Sequence, residues 1–388
     1  MRPDALANAL ALLERLVAFP TQSERSNLAM AAFVEDYLRG LGVEVLRAPN
    51  AAGDKVALLA TIGPMVDGGI ALSGHMDVVP VEGQAWSGDP FALRRQGERL
   101  YGRGACDMKG FDAAVLAMVP AFLAAPLRRP AHILLSYDEE TTCRGSLDLI
   151  ARFGAGLPVP GAALVGEPTM MQVADAHKSV ATFETRVTGL EAHSANPALG
   201  ANAVAAACDI AAEIARLARR YEAGPALNPR FDPPCSTLNV GLIRGGEARN
   251  ILARDCFFLW EFRGLPGVES AEPLALVQRY VDAVALPRLK GRHASPSIAT
   301  RMEVDVPGLA AASGSLAESL ALRLTRSNRT CAVSYATEAG HFQRAGIPTI
   351  VCGPGSIEQA HRPDEYIDVG QLAACVDFLG RLADELCA

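Results

Sequence analysis

The chain contains no C-x-x-C pair, no lysine or arginine run longer than two, no internal repeat and no low-complexity tract. Its nine cysteines (Cys106, Cys143, Cys208, Cys235, Cys256, Cys331, Cys352, Cys375 and Cys387) are scattered and odd in number. That pattern argues against a disulfide framework or a cysteine–zinc module and leaves buried free thiols in a reducing cytosol. Nucleic acid demands a basic patch. Here 36 basic side chains face 43 acidic ones, a net charge of −7, so no nucleic-acid partner is expected. The longest apolar stretch, Ala113 to Leu127, is broken by Pro120 and is too short to cross a bilayer. It reads as a buried helix, and no membrane partner is expected. The first residues, MRPDALANALALLERL, carry Asp4 and Glu14 inside an amphipathic pattern, without the basic and then unbroken apolar regions of a secretory signal. The expected location is cytoplasmic.

What is present is ample core material: 50% of residues are apolar and 20% are charged. A length of 388 residues exceeds one ordinary core, so two domains are expected. Leu6, Leu10, Leu13 and Val17 recur at helical spacing and predict a helix over 3–18, ending before Pro20. A second helix is predicted over 27–39, stopping at Gly40. The strand-like runs VEVLRA, KVALLATI and GIALSG follow, then a helix over 110–124, the strand HILLSY, a helix over 145–154 and the strand AALVGE. Strands alternating with helices predict a mixed or mostly parallel sheet flanked by helices, in an α/β domain.

Near His177 the pattern changes. VATFETRV alternates apolar and polar residues; a long helix spans ANAVAAACDIAAEIARLARR; STLNVGLI and DCFFLWEFR are strands joined through RGGEARN; SAEPLALVQRYVDAV is helical and SPSIATRMEV is a strand. The order β-α-β-β-α-β is the ferredoxin-like α+β pattern. Residues 178–305 are therefore expected to form an inserted second domain, between a first part of the α/β domain at 1–177 and a second part at 306–388. The second part is expected to hold a helix over 312–325, the strand GIPTIVCGPGS entering a glycine loop, and a helix over 370–386.

Acidic and imidazole side chains stand in contexts that suit a two-metal hydrolase: His75 and Asp77 in SGHMDVVP, Asp107 in YGRGACDMKG, Glu139 and Glu140 in SYDEET, Glu167 in GEPT, and His361 in GSIEQAHRPDEY. The first four stretches follow or end strand-like runs, and α/β proteins gather their sites at one edge of the sheet. Zinc takes histidine nitrogen and carboxylate oxygen, and paired ions need a bridging group between them. Asp107, in a loop with Gly102, Gly104 and Gly110, suits the bridge. His75 suits one ion, with the Asp77 carboxylate accepting its other ring N–H. Glu139 and Glu140 are neighbours and cannot both face one ion; one ligates and the other holds a water as general base. His132, His177, His293 and His341 are assigned no role.

Together the motifs SGHMDVVP, YGRGACDMKG, SYDEET, GEPT, EAHSA and GPGSIEQAHRPDEY, in this order over nearly the whole chain, resemble the M20 family of metallopeptidases and amidohydrolases. The resemblance implies two divalent ions, zinc or alternatively cobalt, one held by His75, Asp107 and Glu167 and the other by Asp107, Glu140 and His361. It implies Glu139 as the base, a cis peptide after Asp107, and an inserted lid that makes a homodimer. It also implies that His193, in EAHSA, reaches across that dimer to an oxyanion. YATEAGHFQRAGIPTIVCGPGSIEQAHRPDEYI and DCFFLWEFRGLPG are most similar to the acetylornithine deacetylase branch. The implied substrate is a small N-acyl amino acid, N2-acetyl-L-ornithine cleaved to ornithine and acetate in arginine biosynthesis. Arg263 would then clamp the α-carboxylate, Asn250 would add a polar contact, and Glu338 would face the substrate ammonium or cap a helix. Alternatives within the family are a succinyl-diaminopimelate desuccinylase, which needs a cation for the distal carboxylate, an aminoacylase, and a dipeptidase, which needs an amine site. A catalytically silent metal-binding scaffold is the alternative outside enzymes. Such a protein would be expected to have lost the base or a ligand, and here all are present.

Overall fold

A computed structural model describes residues 3–291 and 293–388. They form two compact units: residues up to Ala176 with Leu309–Ala332 and Thr337–Ala388, and His177–Gly308 with Val333–Ala336.

The first unit is built on an eight-stranded sheet. Its strands are β1 (Val45–Pro49), β2 (Val56–Ile62), β3 (Ile70–His75), β6 (Ala131–Ser136), β7 (Ala162–Pro168), β8 (Ala174–His177), β13 (Cys331–Val333) and β14 (Thr349–Gly353), in the order β1-β2-β6-β3-β7-β14-β8-β13. The middle strands β6, β3, β7 and β14 run parallel. The contacts β1–β2, β2–β6 and β14–β8 are antiparallel, so the sheet is mixed rather than mostly parallel. Buried on both faces, β2, β3, β6 and β7 read as nearly continuous apolar runs, as central strands under two helical layers must. A small sheet of β4 (Arg94–Gln96), β5 (Arg99–Tyr101) and β15 (Tyr366–Asp368) was not legible as strands.

Helices α1 (Pro3–Val17), α2 (Leu28–Gly40), α3 (Lys109–Ala124), α4 (Leu147–Ile150), α8 (Leu316–Thr325), α9 (Ala339–Arg344) and α10 (Val369–Leu386) complete this unit. The apolar stretch around Pro120 is α3, buried along most of its length. The helix expected over 145–154 shrinks to a 3-10 turn at Arg144–Ser146 and the single turn α4, and the chain beyond it turns, with Gly154 at a left-handed φ of 75°. The helix expected from 312 begins at Leu316, where Ser315 Oγ accepts the Glu318 N–H at 3.2 Å.

The second unit pairs β9 (Val180–Thr188), β10 (Thr237–Gly245), β11 (Asp255–Arg263) and β12 (Ser297–Val306) antiparallel in the order β10-β11-β9-β12. Helices α5 (Ala203–Glu222), α6 (Ala271–Tyr280) and α7 (Leu286–Lys290), with a π turn at Val281–Ala285 joining the last two, complete the ferredoxin-like order. On β9 and β11 every second side chain is buried, and Trp260 stacks on Phe183 at 4.0 Å while its indole N–H donates to Thr185 Oγ1 at 3.0 Å. Among the described residues no helix is long and apolar enough to cross a membrane, and all nine cysteines are free thiols.

Candidate metal centre

Strands β6, β3 and β7 are adjacent and parallel, so their C-terminal ends lie on one edge of the sheet. His75 closes β3, Glu139 and Glu140 follow β6, and Glu167 is the next-to-last residue of β7. Asp107 departs from the expected strand-end placement: it lies in the loop between β5 and α3, and its peptide bond to Met108 is cis. Gly104 in that loop has a φ of 80°, and a Cβ there would stand 2.6 Å from Val78 Cγ1. His361 follows a 3-10 turn at Ile357–Gln359 and is itself left-handed, with φ of 63°.

These residues converge. Asp107 Oδ1 lies 3.2 Å from His75 Nε2, and its other oxygen, Oδ2, lies 3.4 Å from His361 Nε2. His361 Nε2 is 2.9 Å from Glu140 Oε2. His75 Nε2 is 3.6 Å from Glu167 Oε1 and 4.0 Å from Glu139 Oε2. Each oxygen of Asp107 thus faces a different imidazole, the arrangement a bridging carboxylate needs. His75, Asp107 and Glu140 each offer a ligand atom within 4.8 Å of one another, and so do His75, Glu139 and Glu167.

The donor set fits divalent cations. From protein groups alone, burial raises the Glu139 and Glu167 carboxyls well above their usual range, and their acidic neighbours add to it. Burial and Asp107 bring Glu140 up to about 7. Hydrogen bonds to Asp107 and Glu140 raise His361 to about 10. Burial opposes a charge on His75, yet Asp107, Asp77 and the nearby glutamates still raise it well above its usual value. Burial works against the Asp107 charge too, and the two imidazoles nevertheless hold its carboxyl below the usual range. Among the described residues no lysine or arginine pairs with Asp107, Glu139, Glu140 or Glu167, and Glu140 Oε1 is buried without a hydrogen-bond partner. Crowded carboxylates with so little protein cation beside them are stabilised by a bound one.

Two further buried carboxylates hold the ligand-bearing loops by their main chain. Asp77 accepts the Glu139 N–H on Oδ1 at 3.1 Å, and the Glu140 N–H and Ser23 hydroxyl on Oδ2 at 3.2 and 2.6 Å. With its carboxylate so engaged, Asp77 serves His75 differently from expectation. The nearest acceptor to His75 Nδ1 is the Asp77 carbonyl oxygen, at 2.9 Å, against 3.5 Å for Oδ1. Either contact leaves Nε2 to face the other ligands. Glu365 does for Asp107 what Asp77 does for the glutamates. Its Oε1 accepts the N–H groups of Cys106 and Asp107 at 2.8 and 3.0 Å; its Oε2 accepts Gly104 N–H at 3.0 Å and Arg103 Nη1 at 2.7 Å. Sequence reasoning passed over Glu365, since nothing in HRPDEY separates it from Asp364, which instead pairs with Arg94 at 3.0 Å.

Glu338 was expected to face a substrate ammonium or to cap a helix. It occupies the N-cap position of α9 without a side-chain capping bond, and it is 1% exposed. Its Oε2 accepts the Ser73 hydroxyl at 3.2 Å, and burial raises its carboxyl to about 7. It is thus a buried group that does not cap the helix by its side chain.

The remaining three residues lie in the second unit. His193 and Asn250 sit on neighbouring segments: His193 bridges Ile251, and Ser194 N–H donates to the Asn250 carbonyl at 3.0 Å. His193 is exposed, and its Nδ1 accepts the Ala195 N–H at 3.1 Å. In the neutral ring the proton is therefore on Nε2. Arg263 is half-buried and already 3.3 Å from Glu261 on its own strand.

The sequence profile of peptidase family M20/M25/M40 matches residues 71–385. An acetylornithine deacetylase from Yersinia pseudotuberculosis is 34% identical over 393 residues, covering 97% of each chain. In fold, the chain is similar to an M20 family metallo-carboxypeptidase from Sulfolobus solfataricus, with a TM-score of 0.77 and 16% identity over 98% of this chain and 99% of that one. It is similar also to a dinuclear metal-binding peptidase of the M20 family from Bacillus subtilis, with a TM-score of 0.66 and 15% identity over 98% and 97%.

Proposed function

Because the chain belongs to peptidase family M20/M25/M40, we propose that it is a di-metal amidohydrolase that removes the acetyl group from N2-acetyl-L-ornithine, supplying ornithine for arginine biosynthesis. The observation that carries the reaction class is the division of the Asp107 oxygens between His75 and His361. The substrate rests on likeness to acetylornithine deacetylases along the whole chain.

His75, Asp107 and Glu167 would hold one ion and Asp107, Glu140 and His361 the other. Zinc is the metal this nitrogen–oxygen donor set favours, with cobalt able to replace it. When bound, the ions supply electrophilic activation of the acyl carbonyl and of a water. Glu139 takes the proton of the attacking water and returns it to the leaving α-amine. Asp77 keeps Glu139 and Glu140 in place through their main-chain N–H groups. The Nε2–H of His193 donates to the oxyanion, and we assign it to the partner subunit of a homodimer formed through the second unit. Asn250 adds a polar contact to substrate, and Arg263 binds the α-carboxylate after turning from Glu261.

The test is a panel of N-acetyl, N-succinyl and dipeptide substrates, assayed with added zinc or cobalt. Acetylornithine should give the highest kcat/KM. Preference for a succinyl substrate or a dipeptide would refute the substrate reading, and inactivity on all of them would refute the enzyme. Metal analysis of His75→Ala and His361→Ala should show each losing about one ion per chain, as each removes a ligand of one ion only.

A further inference from the structure

The loop carrying the two glutamates is a closed turn with left-handed residues at both ends. Asp138 has φ of 57° and Cys143 φ of 51°. The Asp138 carbonyl accepts the N–H groups of Thr142 and Cys143 at 2.9 and 2.8 Å. Its carboxylate pairs with Lys55 at 2.5 Å. Beyond Cys143 the chain packs so tightly on the residue that follows β6 that a Cβ on Gly145 would stand 2.0 Å from the Tyr137 carbonyl oxygen. Neither asparagine nor glycine, the residues that take this backbone easily, occupies position 143. A buried cysteine does, at 4% exposure.

The Cys143 thiol lies 3.3 Å from Glu139 Oε1 and 3.2 Å from the Glu139 carbonyl oxygen. A carboxylate is the stronger acceptor of the two, so the S–H favours Oε1. The second carboxylate oxygen, Oε2, is the one that faces His75 Nε2. We propose that Cys143 is a positioning residue for the base: its thiol holds one oxygen of Glu139 and thereby presents the other to the reacting water. This rests on the reading of Glu139 as the base. The thiol is a weak donor, so it fixes the direction of the carboxylate without the competing charge that an ammonium or guanidinium would bring. The left-handed backbone at 143 carries Sγ back over Glu139 instead of out to solvent.

Cys143→Ala should lower kcat by about tenfold, the loss of one weak hydrogen bond to a charged group, with KM and metal content unchanged. Cys143→Ser retains a donor and should recover kcat to within about threefold of the wild type. A purely structural role would lower thermal stability in both variants and leave no kcat-specific rescue by serine. The contact can also be read without turnover, on metal-free protein. The infrared S–H stretching band of Cys143, isolated by subtracting the Cys143→Ser spectrum, should shift when Glu139→Ala removes the acceptor oxygen. That measurement stands even if Cys143→Ala does not fold. An unmoved band, or equal kcat for wild type and Cys143→Ala, overturns the positioning role while leaving the base in place. If instead Glu139→Gln leaves kcat unchanged, Glu139 is not the base, and the positioning role falls with it.

Discussion

Glu365→Gln is the most incisive single change this structure offers outside the ligands themselves. Glu365 takes four donors: the N–H groups of Gly104, Cys106 and Asp107, and the Arg103 guanidinium at 2.7 Å. Both partners of the ion pair are essentially unexposed. Glutamine keeps the shape but has only one acceptor oxygen. Its amide NH2 must point either at the Cys106 and Asp107 N–H groups or at Gly104 N–H and Arg103, leaving donors facing donors. Breaking a buried charge pair costs about 3–5 kcal/mol because the remaining charge is uncompensated. Arg103 also donates to Gln84 Oε1 at 2.6 Å and lies over Trp86, so the lower end of that range is the better expectation. At about 2–4 °C per kcal/mol for units of this size, the unfolding transition of the metal-free first unit should fall by ~10 °C. Arg103→Met, which removes the ion pair but leaves Glu365 bonded to the loop, separates two consequences. Both variants should lose stability. Only Glu365→Gln frees the Asp107 loop, so it alone should weaken metal binding by roughly ten- to a hundredfold in competition with a chelator, the usual loss when a ligand's own support is removed. Equal metal affinity in the two variants would show that Glu365 acts only on Arg103, and the loop-clamp argument would be wrong.

Glu139→Gln should keep both ions and substrate affinity while kcat falls by ~10²–10⁴, whereas Glu140→Gln should weaken the second ion; kinetics and metal analysis of the pair check the assignment, and exchanged outcomes would reverse it. Mixing inactive Glu139→Ala and His193→Ala subunits should restore activity in heterodimers, and no recovery after proven exchange would place His193 in its own chain's site. His132 is buried in β6, its ring against Phe153 and Nδ1 2.9 Å from Thr61 Oγ1, and burial lowers its pKa from 6.5 to about 4. Its folded pKa is depressed, so the unfolded chain binds the extra proton as pH falls from 6.5 to 4, and the fold should lose about 3 kcal/mol through this residue across that window. Difference melting curves against His132→Gln measure the loss directly; curves that stay parallel would refute it.

Much of the centre was legible because it is local chemistry at strand ends. His75, Glu139, Glu140 and Glu167 each follow an apolar run, and the parallel order of β6, β3 and β7 brings them to one edge. Asp107 and His361 were found from their motifs, although neither stands on the central sheet. What stayed hidden depends on main-chain geometry. Glu365 acts on backbone N–H groups, which every residue carries, so no side-chain pattern announces it, and Asp77, though picked out beside His75, gave no sign of its hold on the Glu139 and Glu140 N–H groups. Cys143 reads as one of nine scattered thiols until the turn folds its sulfur onto Glu139. Glu338 was expected to face a substrate ammonium or cap a helix, and its hydrogen bond to Ser73, far off in the chain, has no local signal in the sequence. Which strands break the parallel order was out of reach, since apolar runs on central strands carry no sign of direction.

The strand order has a consequence for how the protein is made. β14, the partner of β7 in the middle of the first sheet, comes from residues 349–353, and His361 and Glu365 come later still. During synthesis the second unit has its four strands and its helices emerged by Gly308, so its sheet is complete while the first still lacks a central strand. The nascent chain therefore holds His75, Asp107, Glu139, Glu140 and Glu167 through most of elongation without the strand that pairs with β7 beside Glu167, without His361, and without the Glu365 carboxylate that binds the Asp107 loop. On the proposed assignment, a chain stalled before residue 361 would lack a ligand of the second ion, and the centre would close only once His361 and Glu365 have emerged.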